Sequence, residues 1–196
     1  RRRQRRACRI EGVVEQWPGL FAGREIFLRL DLDTGYGHHQ KVITSGSNSK
    51  FGISLGHLEA VREALEAKGG RVVGLHAHTG SGVTDAEVWR EQLERFLDLL
   101  PQFPDVRIVD LGGGLGVPDR RGKPGFDLER LDALLTEAAA GHDIAIWLEP
   151  GRYLAAECGV LLARVTQLKS KGQHHYLGVG TGMNSLIRPA LYGAYH

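Results

Sequence analysis

The sequence predicts an α/β fold of parallel strands joined by crossover helices, and three observations carry the prediction. Short apolar runs of strand length recur along the chain, amphipathic stretches of helical period stand between them, and glycine-rich turns bearing polar side chains close the apolar runs. Such alternation builds either a doubly wound sheet or a (β/α) barrel. A complete barrel takes about 250 residues, and the chain has 196, the last part of which departs from the pattern. The α/β portion therefore amounts to about half of a barrel.

The strands are read at IFLRLDL (26–32), RVVGLHAH (71–78), VRIVDL (106–111) and IAIWLEP (144–150). Between the first two, GHLEAVREALEAKGG (56–70) puts Leu58, Val61 and Leu65 on one helical face and stops at the Gly69-Gly70 pair. TDAEVWREQLERFLDLL (84–100) opens with Thr84 and carries Glu87 three residues later, the spacing of a capping box, ahead of Val88, Leu93, Phe96, Leu97 and Leu100. FDLERLDALLTEAAAGH (126–142) repeats the helical stripe with Leu128, Leu131, Leu134 and Leu135. After Gly159 the rhythm changes: VLLARVTQL (160–168), a KSKGQ turn and HHYLGVG (174–180) read as an antiparallel hairpin that starts a β-rich unit. The expected organisation is a basic arm over 1–9, an α/β domain over 10–158, and a β-region over 159–196.

Composition fits a soluble globular protein with many tight turns: 42% hydrophobic, 24% charged and 27 glycines. The net charge of +2 conceals an uneven distribution, since Arg1, Arg2, Arg3, Arg5, Arg6 and Arg9 supply six positive charges and leave the remainder at −4. No aromatic residue interleaves with these arginines and no groove-reading motif follows, so a disordered arm is expected and not a nucleic-acid reader. Cys8 and Cys158 are too few for a disulfide framework and lack metal-knuckle spacing, which favours a reducing compartment. No apolar run reaches the roughly 18 residues of a membrane span, and the arginine-rich start lacks the apolar core of a signal peptide. A cytoplasmic protein without a membrane partner is expected.

In parallel α/β folds the loops at the C-terminal strand ends project over one mouth, where chemistry collects. Three such ends are unusual here: HAHTGSG (76–82), LGGGLG (111–116) and LEPGR (148–152). Glycines at these positions let backbone N–H groups approach an anion, so Gly80, Ser81, Gly82 and Gly112 to Gly114 are candidates to cradle a phosphate. LGGGLG meets neither the G-x-G-x-x-G spacing nor the Walker pattern. His76 and His78, two apart on a strand, share a face and could hold a divalent metal, as in a metal-dependent hydrolase. His142, His174 and His175 precede strands and sit at the wrong end, so no metal is expected. Each of the two histidines has a plainer reading as a hydrogen-bonded core residue, and His78 is the nearer to the mouth. Glu149 closes an apolar strand, a costly place for a lone carboxylate. It either pairs with Arg152 across the Pro150-Gly151 turn, or keeps a ring nitrogen protonated while Arg152 meets an anion.

GLHAHTGSG (74–82), VDLGGGLGVPD (109–119), LEPGRYLAAECGVLLARV (148–165) and GMNSLIRPALYGAYH (182–196), with SKFGI (49–53), together resemble the fold-type III pyridoxal-phosphate decarboxylases over roughly residues 26–196. Within that family the likeness is to the diaminopimelate decarboxylases, and GYGHHQKV (35–42) is similar to the form fused to an aspartate kinase. The resemblance implies a partial (β/α)8 TIM-type barrel, related to that of alanine racemase, leading into a β-rich domain. It implies pyridoxal 5'-phosphate as cofactor, decarboxylation of meso-2,6-diaminopimelate to L-lysine and CO2, and a homodimer with shared active sites. By the same resemblance His78 stacks on the cofactor ring, and Ser81 with Gly112, Gly113 and Gly114 holds its phosphate. Glu149 pairs with the pyridine nitrogen and, with His78, is catalytic. Pro150 and Gly151 line the cofactor, Arg152 meets the phosphate and the substrate carboxylate, and Arg188 and Tyr192 touch substrate.

Two other outcomes remain on the same residues: an ornithine- or arginine-type decarboxylase or racemase of the same fold, and a noncatalytic binder of pyridoxal phosphate. The lysine to which the family joins its cofactor has no matching motif here, and Lys50 of SKFGI matches a different family element. The family's C-terminal β-domain is represented only by its start. The chain is therefore expected to be part of the family pattern and inactive alone.

Overall fold

The computed structural model describes residues 10–33, 36–37, 50–118, 120 and 122–195. The arginine-rich arm with Cys8, Ser49 of SKFGI, and all of 35–42 except Tyr36 and Gly37 lie outside the described residues.

After a first helix α1 (Ile10–Gln16) the chain forms β1 (Glu25–Asp31), β2 (Tyr36–Gly37), β3 (Ile53–Ser54), α2 (Leu58–Glu66), β4 (Arg71–His76) and β5 (Gly80–Ser81). It continues through α3 (Glu87–Leu99), β6 (Ile108–Asp110), α4 (Leu128–Ala138), β7 (Ala145–Trp147) and α5 (Gly151–Ala155), then β8 (Val165–Lys171), β9 (His174–Val179) and α6 (Arg188–Tyr192). Five strands make one parallel sheet in the order β3-β1-β4-β6-β7. From β1 onward the order advances in one direction, so right-handed crossovers lay α2, α3 and α4 on the same face. That progression is the winding of a barrel wall, not of a doubly wound sheet, which reverses and carries helices on both faces.

Alternation along each strand separates two faces. Leu28, Leu30, Leu75, Ala77, Val109 and Leu111 are buried toward the helices, against Val61, Leu65, Trp89, Leu93, Phe96, Leu131, Leu134 and Leu135. Each large apolar side chain so buried contributes about 1.5–3 kcal/mol. The other face carries Phe27, Arg29, Gly74, His76, Asp110, Trp147 and Glu149. Phe27 stacks on Trp147 with ring centroids 5.6 Å apart, and a Cβ at Gly74 would come 2.4 Å from the Phe27 ring. Register aligns Arg29, His76, Asp110 and Trp147 in one row across four neighbouring strands. The ladder runs on past the strand ends through Ala77 N–H to Asp110 O at 3.1 Å, Leu111 N–H to Trp147 O at 2.9 Å and Glu149 N–H to Gly112 O at 2.8 Å.

Two local expectations are corrected. The capping box of Thr84 and Glu87 does not form: α3 begins at Glu87 itself, whose N–H donates to Asp85 Oδ1 at 3.0 Å. As the first helical residue Glu87 cannot reach back as a capping-box acid does, and its carboxylate instead accepts from Arg90 and from Arg130 of α4, each at 2.6 Å. Those two hydrogen bonds hold the Glu87 carboxyl below the usual carboxylate range. Leu128 belongs to the exposed side of α4, with Asp127 before it capping the helix through Arg130 N–H at 2.8 Å. The antiparallel hairpin read after Gly159 is present as β8 and β9, paired from Val165–Val179 to Lys171–His174, but its first strand starts at Val165 and takes in Lys169, Ser170 and Lys171 of the expected turn, leaving Gly172 and Gln173 to reverse the chain.

Candidate active site

The glycine run 112–114 sits where three strand ends converge, and its lack of side chains is what lets them meet. A Cβ would lie 2.5 Å from Ala77 O at Gly112, 2.2 Å from Glu149 O at Gly113, and 2.2 Å from Gly80 O at Gly114. Gly112 and Gly114 also adopt φ of +69° and +100°, the region that favours glycine. The Gly112 N–H donates to Asp110 Oδ1 at 2.9 Å and the Gly113 N–H to His78 Nδ1 at 3.1 Å. Two of the run's N–H groups are therefore turned to side chains of this chain. Beyond them Val83 N–H donates to Gly114 O at 2.9 Å, tying this loop to the one that carries Ser81.

Because His78 Nδ1 accepts a hydrogen bond, its neutral ring carries the proton on Nε2. Burial, reinforced by the Arg29 guanidinium and by His76, holds this imidazole below its ordinary value of 6.5, while Glu149 and Asp110 pull the other way. With the folded value lowered, the unfolded chain binds more protons in the window beneath 6.5. Stability therefore rises with pH across that window and is lost as the solution is acidified. The denaturation midpoint is expected to fall between about pH 7 and about pH 5.5, and His78→Asn, which keeps an acceptor near Nδ1, is expected to flatten that slope.

Gln92 of α3 was not singled out in the sequence, yet it braces this region from behind. Only 2% exposed, its Nε2 donates to Ala77 O at 3.2 Å and Leu111 O at 3.1 Å, the carbonyls just before His78 and Gly112. The available signal was a polar residue on the buried stripe Val88, Trp89, Gln92, Leu93 and Phe96. Gln92→Leu keeps the volume and withdraws both donors; a loss of about 1–3 kcal/mol is expected in chemical denaturation.

Glu149 stands just past β7 with its side chain 57% exposed, on the same face as the histidines. The ion pair with Arg152 is not found among the described residues; Glu149 Oε2 lies 3.6 Å from His76 Nε2 instead. The reason is local. Gly151 N–H turns back to Glu149 O at 2.8 Å and α5 starts at once, which carries Arg152 away from the strand end. Tyr153 of α5 packs edge-on against Phe126, which packs in the same way against Trp89, anchoring the short helix to α3 and the start of α4. Arg152 is half-buried, and burial followed by the charge of Arg188 lowers its affinity for its proton. Two guanidiniums, from α5 and α6, thus share one neighbourhood, with Tyr192 half-buried one turn beyond Arg188. His76, Asp110 and Glu149 place one ligand atom each within 4.8 Å of one another. Lys50 lies at the sheet edge, its Nζ 5.3 Å from the Phe51 ring centroid.

Residues 9–156 match the family model of the pyridoxal-dependent decarboxylase, pyridoxal binding domain. The chain belongs to the pyridoxal-dependent decarboxylases. Diaminopimelate decarboxylase of Escherichia coli K12 is 34% identical over 190 residues, covering 94% of this chain and 45% of the relative. A crystal structure of diaminopimelate decarboxylase aligns with a TM-score of 0.81 at 34% identity, over 95% of this chain and 46% of that one. The Helicobacter pylori diaminopimelate decarboxylase complexed with L-lysine aligns at 0.79 with 29% identity, over 94% of this chain and 47% of that one. This pyridoxal-dependent decarboxylase chain spans about half the length of the relatives it matches. No described helix is long and apolar enough to cross a membrane.

Proposed function

We propose that this chain carries the cofactor-holding part of a decarboxylase that uses pyridoxal phosphate to convert meso-2,6-diaminopimelate into L-lysine and CO2. The observation that carries the reading is Glu149: a solvent-reachable carboxylate at a strand end whose charge acts on His78, with Arg152 three residues on, in α5. The donor set fits the cofactor. A carboxylate suits a protonated ring nitrogen, an imidazole suits the ring face, and two neighbouring guanidiniums suit a phosphate and a carboxylate. The likeness to diaminopimelate decarboxylases at 34% identity supports the choice of substrate.

Bound there, pyridoxal phosphate supplies the sink for the electron pair left when CO2 departs. The residues of the chain set the conditions for it. Glu149 accepts the hydrogen bond of the ring N–H and keeps that nitrogen protonated, an electrostatic contribution in place before charge develops. His78, its Nδ1 already fixed by Gly113, offers its ring as a stacking surface. Ser81 and the Gly114 turn, with Pro150 and Gly151, would hold the phosphate, while Gly112 and Gly113 shape the loop through Asp110 and His78. Arg152 would meet the anions, and Arg188 and Tyr192 of α6 would contact the substrate.

A homodimer belongs to the same reading, supported by the apolar side chains Leu162, Leu168 and Leu177, all exposed over the β-region that begins near Gly159. A cytoplasmic setting agrees with the unpaired Cys158.

Absorbance titration with pyridoxal phosphate, with and without borohydride, tests the site. The expected result is saturable binding by the chain that Glu149→Gln weakens; no spectral change at saturating cofactor would remove the proposal. Retention of label after borohydride separates covalent from noncovalent holding. Release of CO2 by the full-length enzyme from diaminopimelate, and not from ornithine or arginine, tests the substrate.

A further inference from the structure

The function above leaves one buried group unused. His76 Nε2 is buried and makes no hydrogen bond, yet it stands 3.6 Å from Glu149 Oε2. Asp110 completes the group, each of the three placing an atom within 4.8 Å of the other two. Asp110 is itself fixed, since its Oδ1 accepts from Gly112 N–H at 2.9 Å. The His76 side chain is 14% exposed against 57% for Glu149, so a held ring adjoins a carboxylate with freedom to turn.

The charged and titratable groups around His76 come from every adjoining strand: Arg29 and Asp31 of β1, His78 after β4, Asp110 of β6 and Glu149 after β7. Ionised carboxylates offer only acceptor oxygens, and the imidazole supplies the N–H donor of the three. His78 already accepts from Gly113 N–H at Nδ1 and is read as the ring-stacking histidine, and no ion pair joins Arg152 to Glu149 among the described residues.

We propose that His76 is a positioning residue for Glu149: its Nε2–H closes on Oε2 and holds that carboxylate turned into the mouth, with Asp110 as the second carboxylate neighbour. The inference rests on the reading of Glu149 as the acid that meets the ring nitrogen. It adds that the acid is not self-sufficient, and that an imidazole two residues before the ring-stacking histidine sets its orientation.

Carbon-detected NMR of the cofactor-free full chain, labelled at glutamate carboxyls, reads the pair directly. His76→Leu is expected to shift the Glu149 carboxyl resonance by removing the donor beside it, and His76→Gln, which restores an N–H in a side chain close to histidine in size, to shift it less. If the leucine variant fails to fold, His76→Asn, too short to reach Glu149, carries this arm. A Glu149 signal unmoved by loss of the donor, or moved equally with and without it, overturns the proposal. The second readout is pyridoxal phosphate affinity by absorbance. The leucine variant is expected to bind about tenfold more weakly, and the glutamine variant, with an amide N–H where Nε2 stood, to recover most of that loss. Equal weakness of the two variants, or wild-type affinity in the leucine variant, also overturns it. If the wild-type chain takes up no pyridoxal phosphate, the cofactor reading fails, and the Glu149 carboxyl resonance decides the pair by itself.

Discussion

Alanine at position 149 is expected to lower decarboxylation by the full-length enzyme about a thousandfold while leaving the fold nearly unchanged. The two halves of that expectation have separate grounds. The Glu149 carboxylate is mostly exposed and its recorded partner is an imidazole 3.6 Å away, so little folding energy is at stake in the side chain. The backbone of residue 149 does the structural work, donating to Gly112 O and accepting from Gly151 N–H at 2.8 Å each, and alanine retains both bonds. A preorganised charge lost from a reaction centre, by contrast, is one of the costliest single removals in catalysis. Thermal melts of the variant should overlay those of the parent within about 0.5 kcal/mol. Steady-state turnover close to the parent's would refute the role of Glu149. Glu149→Gln should fall between the two, because it keeps an acceptor and loses the charge.

What the sequence made legible follows from which interactions are local. Strand and helix alternation is a property of short windows, so the wall of parallel strands, the buried stripe Val61, Leu65, Leu93, Phe96, Leu131 and the terminal hairpin could be read directly. The glycine run was legible as a loop, but its physical reason was not. Gly112, Gly113 and Gly114 face Ala77 O, Glu149 O and Gly80 O, partners more than 30 residues distant in sequence. The same limit hid the site's arrangement. Alternation put His76 and His78 on one face, yet which of them meets Glu149 depends on how far each lies past the strand end, a matter of stagger between strands. Closeness in sequence also misled: Glu149 and Arg152 lie three apart, and the start of α5 separates them. Asp110 and Gln92 passed unread because a single acid ending a strand and a single amide on an apolar stripe are ordinary until their partners are seen.

Gly113→Ala should be among the most damaging small substitutions at the described residues, costing about 3 kcal/mol of folding stability and abolishing saturable binding of pyridoxal phosphate. The φ of Gly113 is ordinary, so strain in the backbone dihedral is not the cause. The added methyl would stand 2.2 Å from Glu149 O and 3.2 Å from the carbonyl carbon, and the atoms it meets are backbone, which cannot swing aside as a flexible side chain does. Relief requires the loop after β6 to move away from the chain after β7. That movement breaks the 2.8 Å bond from Glu149 N–H to Gly112 O and the 3.1 Å bond from Gly113 N–H to His78 Nδ1 together. One methyl group thus unseats both the carboxylate and the imidazole of the site, which is why stability and binding should fail in step. Gly56→Ala serves as the control: nothing lies within 4 Å of the added carbon there and its φ is ordinary, so its denaturation curve should stay within about 0.5 kcal/mol of the parent. If Gly113→Ala unfolds at the parent's denaturant concentration and still binds the cofactor, the three strand ends do not meet through this glycine as described.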